Sequence, residues 1–171
     1  GSDFILSKMK RKHTVLEYKH MIRKVRDVRP ELSITSDFII GYPGETDEHF
    51  QETLELIEDV GFDDGYSFIY SKRPGTPASF ETDNVSHAEK TTRLNKVQKL
   101  LKNNSERYLS NLIGSSQEIL VEGISKSNQN FVFGRTKTNK LVNVKASKNL
   151  IGQFIDVYIQ NANRTSLDGI Q

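Results

Sequence analysis

Two similar segments contain the residue types from which a ligand-binding turn can be built. The first is Ser36-Asp37-Phe38-Ile39-Ile40-Gly41-Tyr42-Pro43-Gly44-Glu45-Thr46, and the second is Tyr66-Ser67-Phe68-Ile69-Tyr70-Ser71 followed by Lys72-Arg73-Pro74-Gly75-Thr76-Pro77. In both, an apolar run predicts a strand. Pro-Gly then fits the central positions of a type II turn, because proline fixes φ and glycine accepts a positive φ. Since ligands of α/β sheets bind beyond the carboxyl ends of strands, both turns are candidate walls of a binding site, although such turns also occur without any ligand.

The sequence offers few other candidates for catalysis. It contains no cysteine, so neither a disulfide nor a thiolate metal site is available. The histidines His13, His20, His49 and His87 lack the spacing of metal ligands. The acidic residues from Glu45 to Asp64 follow a predicted helix surface, and they form no paired-carboxylate site. Glu45 itself is expected to brace its turn through backbone hydrogen bonds rather than to act as an acid or base.

Helices and strands alternate in the first part of the sequence. Helices are predicted from Thr14 to Arg29, from Asp47 to Asp59 and from Ser86 to about Leu112, and strands from Leu32 to Gly41 and from Asp64 to Tyr70. Thr14 and Glu17 have the spacing of a capping box, and Thr46 can cap the second helix. The run Phe38-Ile39-Ile40 predicts a strand covered on both faces. Strand, helix and strand form a βαβ unit, which places both Pro-Gly turns at one end of the sheet.

Strand patterns replace helical ones after Gly114. Short strands are predicted at 117–122, 130–135, 140–144, 153–161 and 166–170, which suits a small OB-like β-barrel. The predicted domains are residues 1–111, which are α/β, and residues 112–171, which are all-β. Phe131 and Phe133 are expected in the barrel core. Polar and basic residues are candidates for RNA binding, namely Arg135, Lys137, Lys140, Asn143 and Lys145. Lys126, in a predicted hairpin, is expected to lie away from the RNA-binding face.

Charge is strongly segregated along the chain, although the formal net charge is only +2. Residues 112–171 carry seven Lys or Arg residues against four Asp or Glu residues, a balance that favours phosphate binding. The nine basic residues from Lys8 to Arg29 are interpreted instead as a solvated helix face. No apolar run approaches the roughly 20 residues of a membrane-spanning helix. No signal peptide is visible either, so a cytoplasmic protein is expected.

The order and spacing of these motifs resemble the radical SAM methylthiotransferases. The resemblance begins with Gly1-Ser2-Asp3 and Met9-Lys10-Arg11-Lys12-His13-Thr14 and continues through both Pro-Gly segments. It ends in a segment similar to the TRAM domain, with Val121-Glu122-Gly123, Gly134-Arg135-Thr136, Val142-Asn143-Val144 and Leu150-Ile151-Gly152. This resemblance implies the C-terminal part of a radical SAM (β/α) partial barrel, followed by a five-stranded TRAM β-barrel that binds RNA.

The resemblance also implies cofactors. The family uses S-adenosylmethionine (SAM) and two [4Fe–4S] clusters, one held by a CxxxCxxC motif and one by three further cysteines. Because the chain has no cysteine, it is expected to be a C-terminal fragment of a longer enzyme, to bind no cluster and to be inactive alone. Gly1-Ser2 fits the family pattern and equally a cloning remnant.

Family positions carry over to particular residues of this sequence. A wall of the SAM pocket is implied at Ser2, Gly41, Tyr42, Pro43, Gly44 and Glu45, and substrate-facing positions are implied at Ser71 and Arg73. Glycine at positions 41 and 44 would let the backbone approach a flat ring closely.

The implied reaction adds a 2-methylthio group to an N6-prenylated adenosine near the anticodon of tRNA. One SAM methylates sulfur, and another is cleaved reductively to a radical that abstracts hydrogen from C2. Two alternatives stay open: a sister branch that methylthiolates a ribosomal protein, and a non-catalytic RNA-binding module. The Gly134 and Val142 motifs look more like the tRNA branch, whose partner is the anticodon stem-loop. The isolated chain is also expected to self-associate, because its first half has too few strands to close a barrel and exposes a strand edge.

Overall fold

The computed structural model describes residues 1–125 and 128–171. The chain divides into two compact units, Gly1–Asn104 and Ser105–Gln171. The division falls within the helix His87–Asn111. The predicted domain boundary after residue 111, at the end of this helix, stays a prediction. None of the helices in the described ranges has the length and hydrophobicity that a membrane crossing requires.

The first unit is built from helices that flank a short sheet. In chain order its elements are α1 (Asp3–Lys8), α2 (Val15–Val28), β1 (Thr35–Ile40), α3 (Asp47–Val60), β2 (Asp64–Ile69), a 3-10 turn (Pro77–Phe80) and the first part of α4 (His87–Asn111). The predicted caps are confirmed, because Thr14 and Glu17 form a capping box and Thr46 caps α3 by accepting from His49 N. Helix α1 was not predicted. Its Asp3 carboxylate accepts a hydrogen bond from Val15 N at 2.7 Å, which ties α1 to the start of α2.

Strands β1 and β2 pair in parallel, with Thr35 opposite Asp64 and Ile40 opposite Ile69. Phe38 and Ile40 point into a core that also contains Ile57 of α3. The prediction that β1 is covered on both faces is wrong, because the helices of the described unit cover only one face. Ile39 on the other face is 39% exposed, and Phe68 beside it is 54% exposed.

The second unit is a closed barrel of five strands, and the five predicted strands are confirmed within a few residues at each end. They are β3 (Ser116–Ile124), β4 (Val132–Thr136), β5 (Leu141–Val144), β6 (Phe154–Ala162) and β7 (Leu167–Ile170). The strand order is β3-β4-β5-β7-β6, and pairing between β6 and β3 closes the barrel. The β5–β7 pair is parallel and the other pairs are antiparallel.

Branched aliphatic side chains fill the barrel. Its fully buried members include Ile119, Val142, Val144, Val157 and Leu167. The prediction of Phe131 and Phe133 as core residues is wrong, because both are only half-buried. Val132 between them is 1% exposed and occupies the interior position instead. Strand alternation allows only one of these two sets to face inward, and the smaller side chain suits the narrow interior.

We expect Gly134→Ala to destabilise the barrel, because the added Cβ would lie 2.4 Å from the backbone oxygen of Leu120. Overpacking of this kind costs about 1–3 kcal/mol. The matched control is Gly123→Ala, where the nearest atom, 3.0 Å away, belongs to the ring of Phe133, which can rotate. Differential scanning calorimetry of the 171-residue chain compares the two variants. Equal unfolding temperatures for both would contradict this account of the barrel packing.

Candidate functional site

Both Pro-Gly turns have the predicted conformation. In the first, Glu45 N donates to Tyr42 O at 2.9 Å, and Gly44 has φ of 87°. In the second, Thr76 N donates to Arg73 O at 3.3 Å, and Gly75 has φ of 80°. A proline followed by a residue with positive φ defines a type II turn. Both turns follow the carboxyl ends of parallel strands, so they stand side by side as predicted.

A buried ion pair holds the first turn in shape. The Glu45 carboxylate accepts a hydrogen bond from Gly41 N at 2.8 Å and another from the Arg93 guanidinium at 2.9 Å. Arg93 also donates to Glu45 O, to Asp47 and to Glu89. The Glu45 and Arg93 side chains are 2% and 5% exposed. The prediction that Glu45 braces its turn through the backbone is therefore matched by its contacts.

The surroundings of Arg93 favour its charged form. Burial on its own lowers the pKa of the guanidinium, but the hydrogen bonds to Glu45 and Asp47 outweigh it, and the pKa is raised. An arginine suits this position because its planar group can serve several carboxylates at once.

The protein itself requires glycine at position 41. Gly41 has φ of 71°, and a Cβ there would lie 2.4 Å from Lys90 Cγ. The aliphatic part of the buried Lys90 side chain therefore fills the space next to Gly41, and its ammonium pairs with Asp83. At Gly44, the nearest atom to such a Cβ is Lys8 Nζ. Protein side chains thus occupy the space on the Cβ side of both glycines.

A cavity of about 600 Å³ opens where the two strands end. Its walls combine apolar and aromatic groups with cations, and they include Met9, Ile39, Phe68, Tyr42, Tyr70, Lys8, Lys10, Ser71 and Arg73. The predicted substrate-side pair Ser71 and Arg73 is thus brought together on one cavity, and both residues are exposed. An aromatic and basic wall of this size suits a nucleoside with phosphate groups nearby.

Two tyrosines form the edge of this cavity nearest the first turn. The rings of Tyr42 and Tyr70 pack edge to face, with centroids 5.1 Å apart. The Tyr42 hydroxyl donates to Lys8 O at 3.3 Å, and burial raises the pKa of Tyr42. The Tyr70 hydroxyl oxygen is buried and has no hydrogen-bond partner among the described residues. A buried hydroxyl of this kind is a group that a bound ligand can satisfy.

Ser2, a predicted cofactor residue, also has an unsatisfied buried group. It is 1% exposed, and its Oγ has no hydrogen-bond partner within the described ranges. A buried hydroxyl without a partner is a group that a polar ligand could satisfy, although Ser2 does not line the cavity near Tyr70. An iron–sulfur cluster is not matched, because the sequence has no cysteine, and the described residues contain no cluster of His, Asp and Glu that could hold a metal.

The predicted RNA-binding residues of the barrel fall into three environments. Arg135 and Lys137 are exposed but ion-paired, Arg135 with Glu122 at 3.4 Å and Lys137 with Glu118 at 3.1 Å. Lys140 is 8% exposed, and its ammonium lies 5.0 Å from the centre of the Tyr108 ring, so it is not part of the exposed surface.

The other two predicted RNA-binding residues are Asn143, on β5, and Lys145, the first residue after β5. Asn143 is half-buried and donates to Asp168 at 3.4 Å. Lys145 is exposed. Lys126, the position expected to lie away from RNA, is outside the described residues.

Arg93, Lys90 and Tyr70 are functional candidates that sequence reasoning missed. Arg93 and Lys90 lie on α4, for which the sequence predicted a helix but no site residue. The available signal was the Glu89-to-Arg93 spacing, which suits an ion pair along a helix. Nothing in the sequence indicated that its other partners would be Glu45 and Asp47.

Comparisons with known proteins match both units. Residues 1–57 match the family model of the radical SAM superfamily, and residues 111–170 match that of the TRAM domain. The chain is 49% identical over 169 residues to proteins called tRNA-2-methylthio-N(6)-dimethylallyladenosine synthase from Francisella tularensis subsp. novicida (strain U112) and subsp. tularensis (strain SCHU S4 / Schu 4). The match covers 99% of this chain and 38% of each relative, so the chain spans less than half the length of the proteins it resembles.

We expect Glu45→Gln to lower the free energy of unfolding of the first unit by about 1–3 kcal/mol, because a buried guanidinium loses its charged acceptor. The remaining partners, Asp47 and Glu89, limit the loss. The matched control is Glu52→Gln, at an exposed position of α3, which should change stability little. Urea unfolding followed by circular dichroism gives both values, and similar values would show that the buried pair does not brace the turn.

Proposed function

We propose that this chain, which belongs to the radical SAM methylthiotransferase family, is part of an enzyme that adds a 2-methylthio group to an N6-prenylated adenosine near the anticodon of tRNA. The observation that carries the proposal is 49% identity over 99% of the chain to relatives whose name specifies this modified adenosine. The relatives' name favours tRNA over a ribosomal protein as the substrate. A tRNA-modifying role would also place the protein in the cytoplasm.

The first unit would contribute one wall of the reaction site. SAM, when bound, supplies the methyl group and the radical chemistry of the reaction. Ser2, Gly41, Tyr42, Pro43, Gly44 and Glu45 would hold it, with Glu45 acting indirectly by fixing the turn and the buried Ser2 hydroxyl available for a direct hydrogen bond. Gly41 and Gly44 would contribute to holding SAM through their backbone conformation. The side on which a Cβ would lie is occupied by Lys90 at Gly41 and by Lys8 at Gly44.

The cavity beside this wall would receive the prenylated base. Its apolar floor includes Ile39 and Phe68, which can pack against a branched hydrocarbon. Arg73 and Ser71 lie on the same cavity, where a guanidinium and a hydroxyl can bind a phosphate or ribose of the flanking nucleotides. This cavity would bind a prenylated base more tightly than an unmodified one, because only the prenyl group can make these hydrophobic contacts.

The barrel would bind the tRNA. Exposed Arg135, Lys137 and Lys145 support this role, and Asn143 supplies a neighbouring amide. The buried Lys140 would support the barrel by packing over the Tyr108 ring rather than contact RNA. Because the chain has no cysteine, the cluster ligands of the complete enzyme would come from residues outside these 171. RNA binding without catalysis is accordingly the activity proposed for the chain alone.

We also propose that the isolated chain self-associates. Within the described unit, β1 pairs only with β2, so each strand has an unpaired edge, and Phe68 and Tyr66 are 54% and 67% exposed. Sedimentation equilibrium over a wide concentration range should show dimers or larger species. Phe68→Ser should shift the equilibrium toward monomer, whereas Phe80→Ser, at an exposed ring outside the sheet, should not. A monomer at all concentrations would contradict the proposal.

The activity is tested in the longer protein that contains this chain. We expect its expression in a bacterium that lacks its own methylthiotransferase to restore the 2-methylthio form of N6-dimethylallyladenosine, measured by mass spectrometry of tRNA nucleosides. Arg73→Ala should lower the modification rate about tenfold, the loss expected for a hydrogen bond to a charged group. Lys72→Ala is the control, because this exposed neighbour does not line the cavity. Persistence of the unmodified prenyl adenosine with the unsubstituted protein would contradict the proposed function.

A further inference from the structure

The chain between β5 and β6 presents an unusual surface. This segment, residues 145–154, is called here the β5–β6 segment. It contains two lysines, Lys145 and Lys148, and no acidic residue. Both lysines are exposed, and neither forms an ion pair with any residue in the described part of the chain. The segment ends at Phe154, which is 66% exposed and is the most exposed large hydrophobic residue of the barrel.

The segment is held in a fixed conformation. Gly152 N donates to Val121 O at 2.8 Å, and Val121 N donates to Gln153 O at 3.0 Å, so its end is attached to β3. Within it, Gln153 N donates to Leu150 O at 2.9 Å, and the Gln153 side chain donates to Asn149 O at 3.1 Å. A surface that is already ordered loses little conformational entropy when it binds a partner.

Three of the four acidic residues of the barrel have partners among the described residues, and the exposed Asp156 is the exception. Glu122 is paired with Arg135, and Glu118 is paired with Lys137. Asp168 on β7 accepts hydrogen bonds from Asn143 and Asn163. Asp156, two residues after Phe154, lies opposite Glu118 in the β3–β6 register. Arg135 and Lys137 are therefore ion-paired with neighbouring carboxylates, whereas the ammonium groups of Lys145 and Lys148 have no ion-pair partner among the described residues.

We propose that the β5–β6 segment is the main RNA-contacting surface of the barrel. Lys145 and Lys148 bind backbone phosphates, and the Phe154 ring stacks on an unpaired base. Exposed aromatic rings beside cations are the arrangement by which barrels of this kind bind single-stranded nucleic acid. The inference rests on the proposed tRNA-binding function, and it adds Lys148 and Phe154 to the candidate residues while placing Arg135 and Lys137 in a supporting role.

Binding of a fluorescently labelled tRNA transcript to the 171-residue chain, measured by anisotropy at several salt concentrations, tests the inference. Lys145→Ala with Lys148→Ala should lower the magnitude of the salt slope by about two units, one for each lost phosphate contact. Arg135→Ala with Lys137→Ala changes the net charge equally and should lower the slope by clearly less. Equal effects of the two double variants would show a diffuse electrostatic surface and would overturn the inference.

Phe154 provides a second, charge-independent readout. Phe154→Ala should weaken binding by about tenfold, within the range measured for loss of one base–aromatic stack, without changing the salt slope. Phe154→Trp should retain the affinity, and thermal unfolding should show that each variant is folded. Unchanged affinity in Phe154→Ala would overturn the stacking role. If the unsubstituted chain fails to bind tRNA at all, the proposed function of the barrel fails; if it binds and the segment variants match the controls, only this inference fails.

Discussion

The buried pair between Glu45 and Arg93 is the constraint on which the candidate site depends. Two opposite charges with almost no exposure to water are stable only when they are paired and supported by further hydrogen bonds. Gly41 N, Asp47 and Glu89 supply these bonds, and they place the strand end, the turn and α4 in one network, while Arg93 Nε is buried without a partner among the described residues. Any other conformation of the turn would leave a buried charge without its partner. The turn is therefore fixed by electrostatics as well as by its proline and glycine.

This network also determines what a ligand can touch. Helix α4 delivers Arg93 to the turn and, one helical turn earlier, delivers Lys90 to the side of Gly41. The Lys90 side chain closes that side, so access to the strand ends is left from the direction of Tyr70, Ser71 and Arg73. The position of the cavity is consequently determined by Arg93 and Lys90, which do not line it. Substitutions at these helix residues would change the shape of the site without removing any group that contacts a ligand.

Local interactions explain which features could be predicted from the sequence. The capping box of Thr14 and Glu17, both type II turns and the barrel strands depend on residues a few positions apart, and all were predicted correctly. The environments of Arg93 and Lys140 could not be predicted. Arg93 meets Glu45 across 48 positions, and Lys140 lies over Tyr108, which belongs to α4 rather than to the barrel strands. A charged residue is expected at the surface by default, and only the tertiary fold shows when it is buried with a partner.

The narrow interior of the barrel explains why its aromatic residues are on the outside. Atoms approach so closely inside that a Cβ on Gly134 would lie 2.4 Å from the backbone oxygen of Leu120, and a Cβ on Gly169 would lie 2.4 Å from Val157 Cγ1. Valine and isoleucine fill the remaining space, and an aromatic ring would not fit among them. Phe133 and Phe154 are consequently displaced to the outer face, Phe133 against Gly123 and Phe154 toward solvent. Exposure of Phe154 thus follows from the size of the barrel, and the same geometry that excludes this ring from the core presents it to solvent at the end of the segment that carries Lys145 and Lys148.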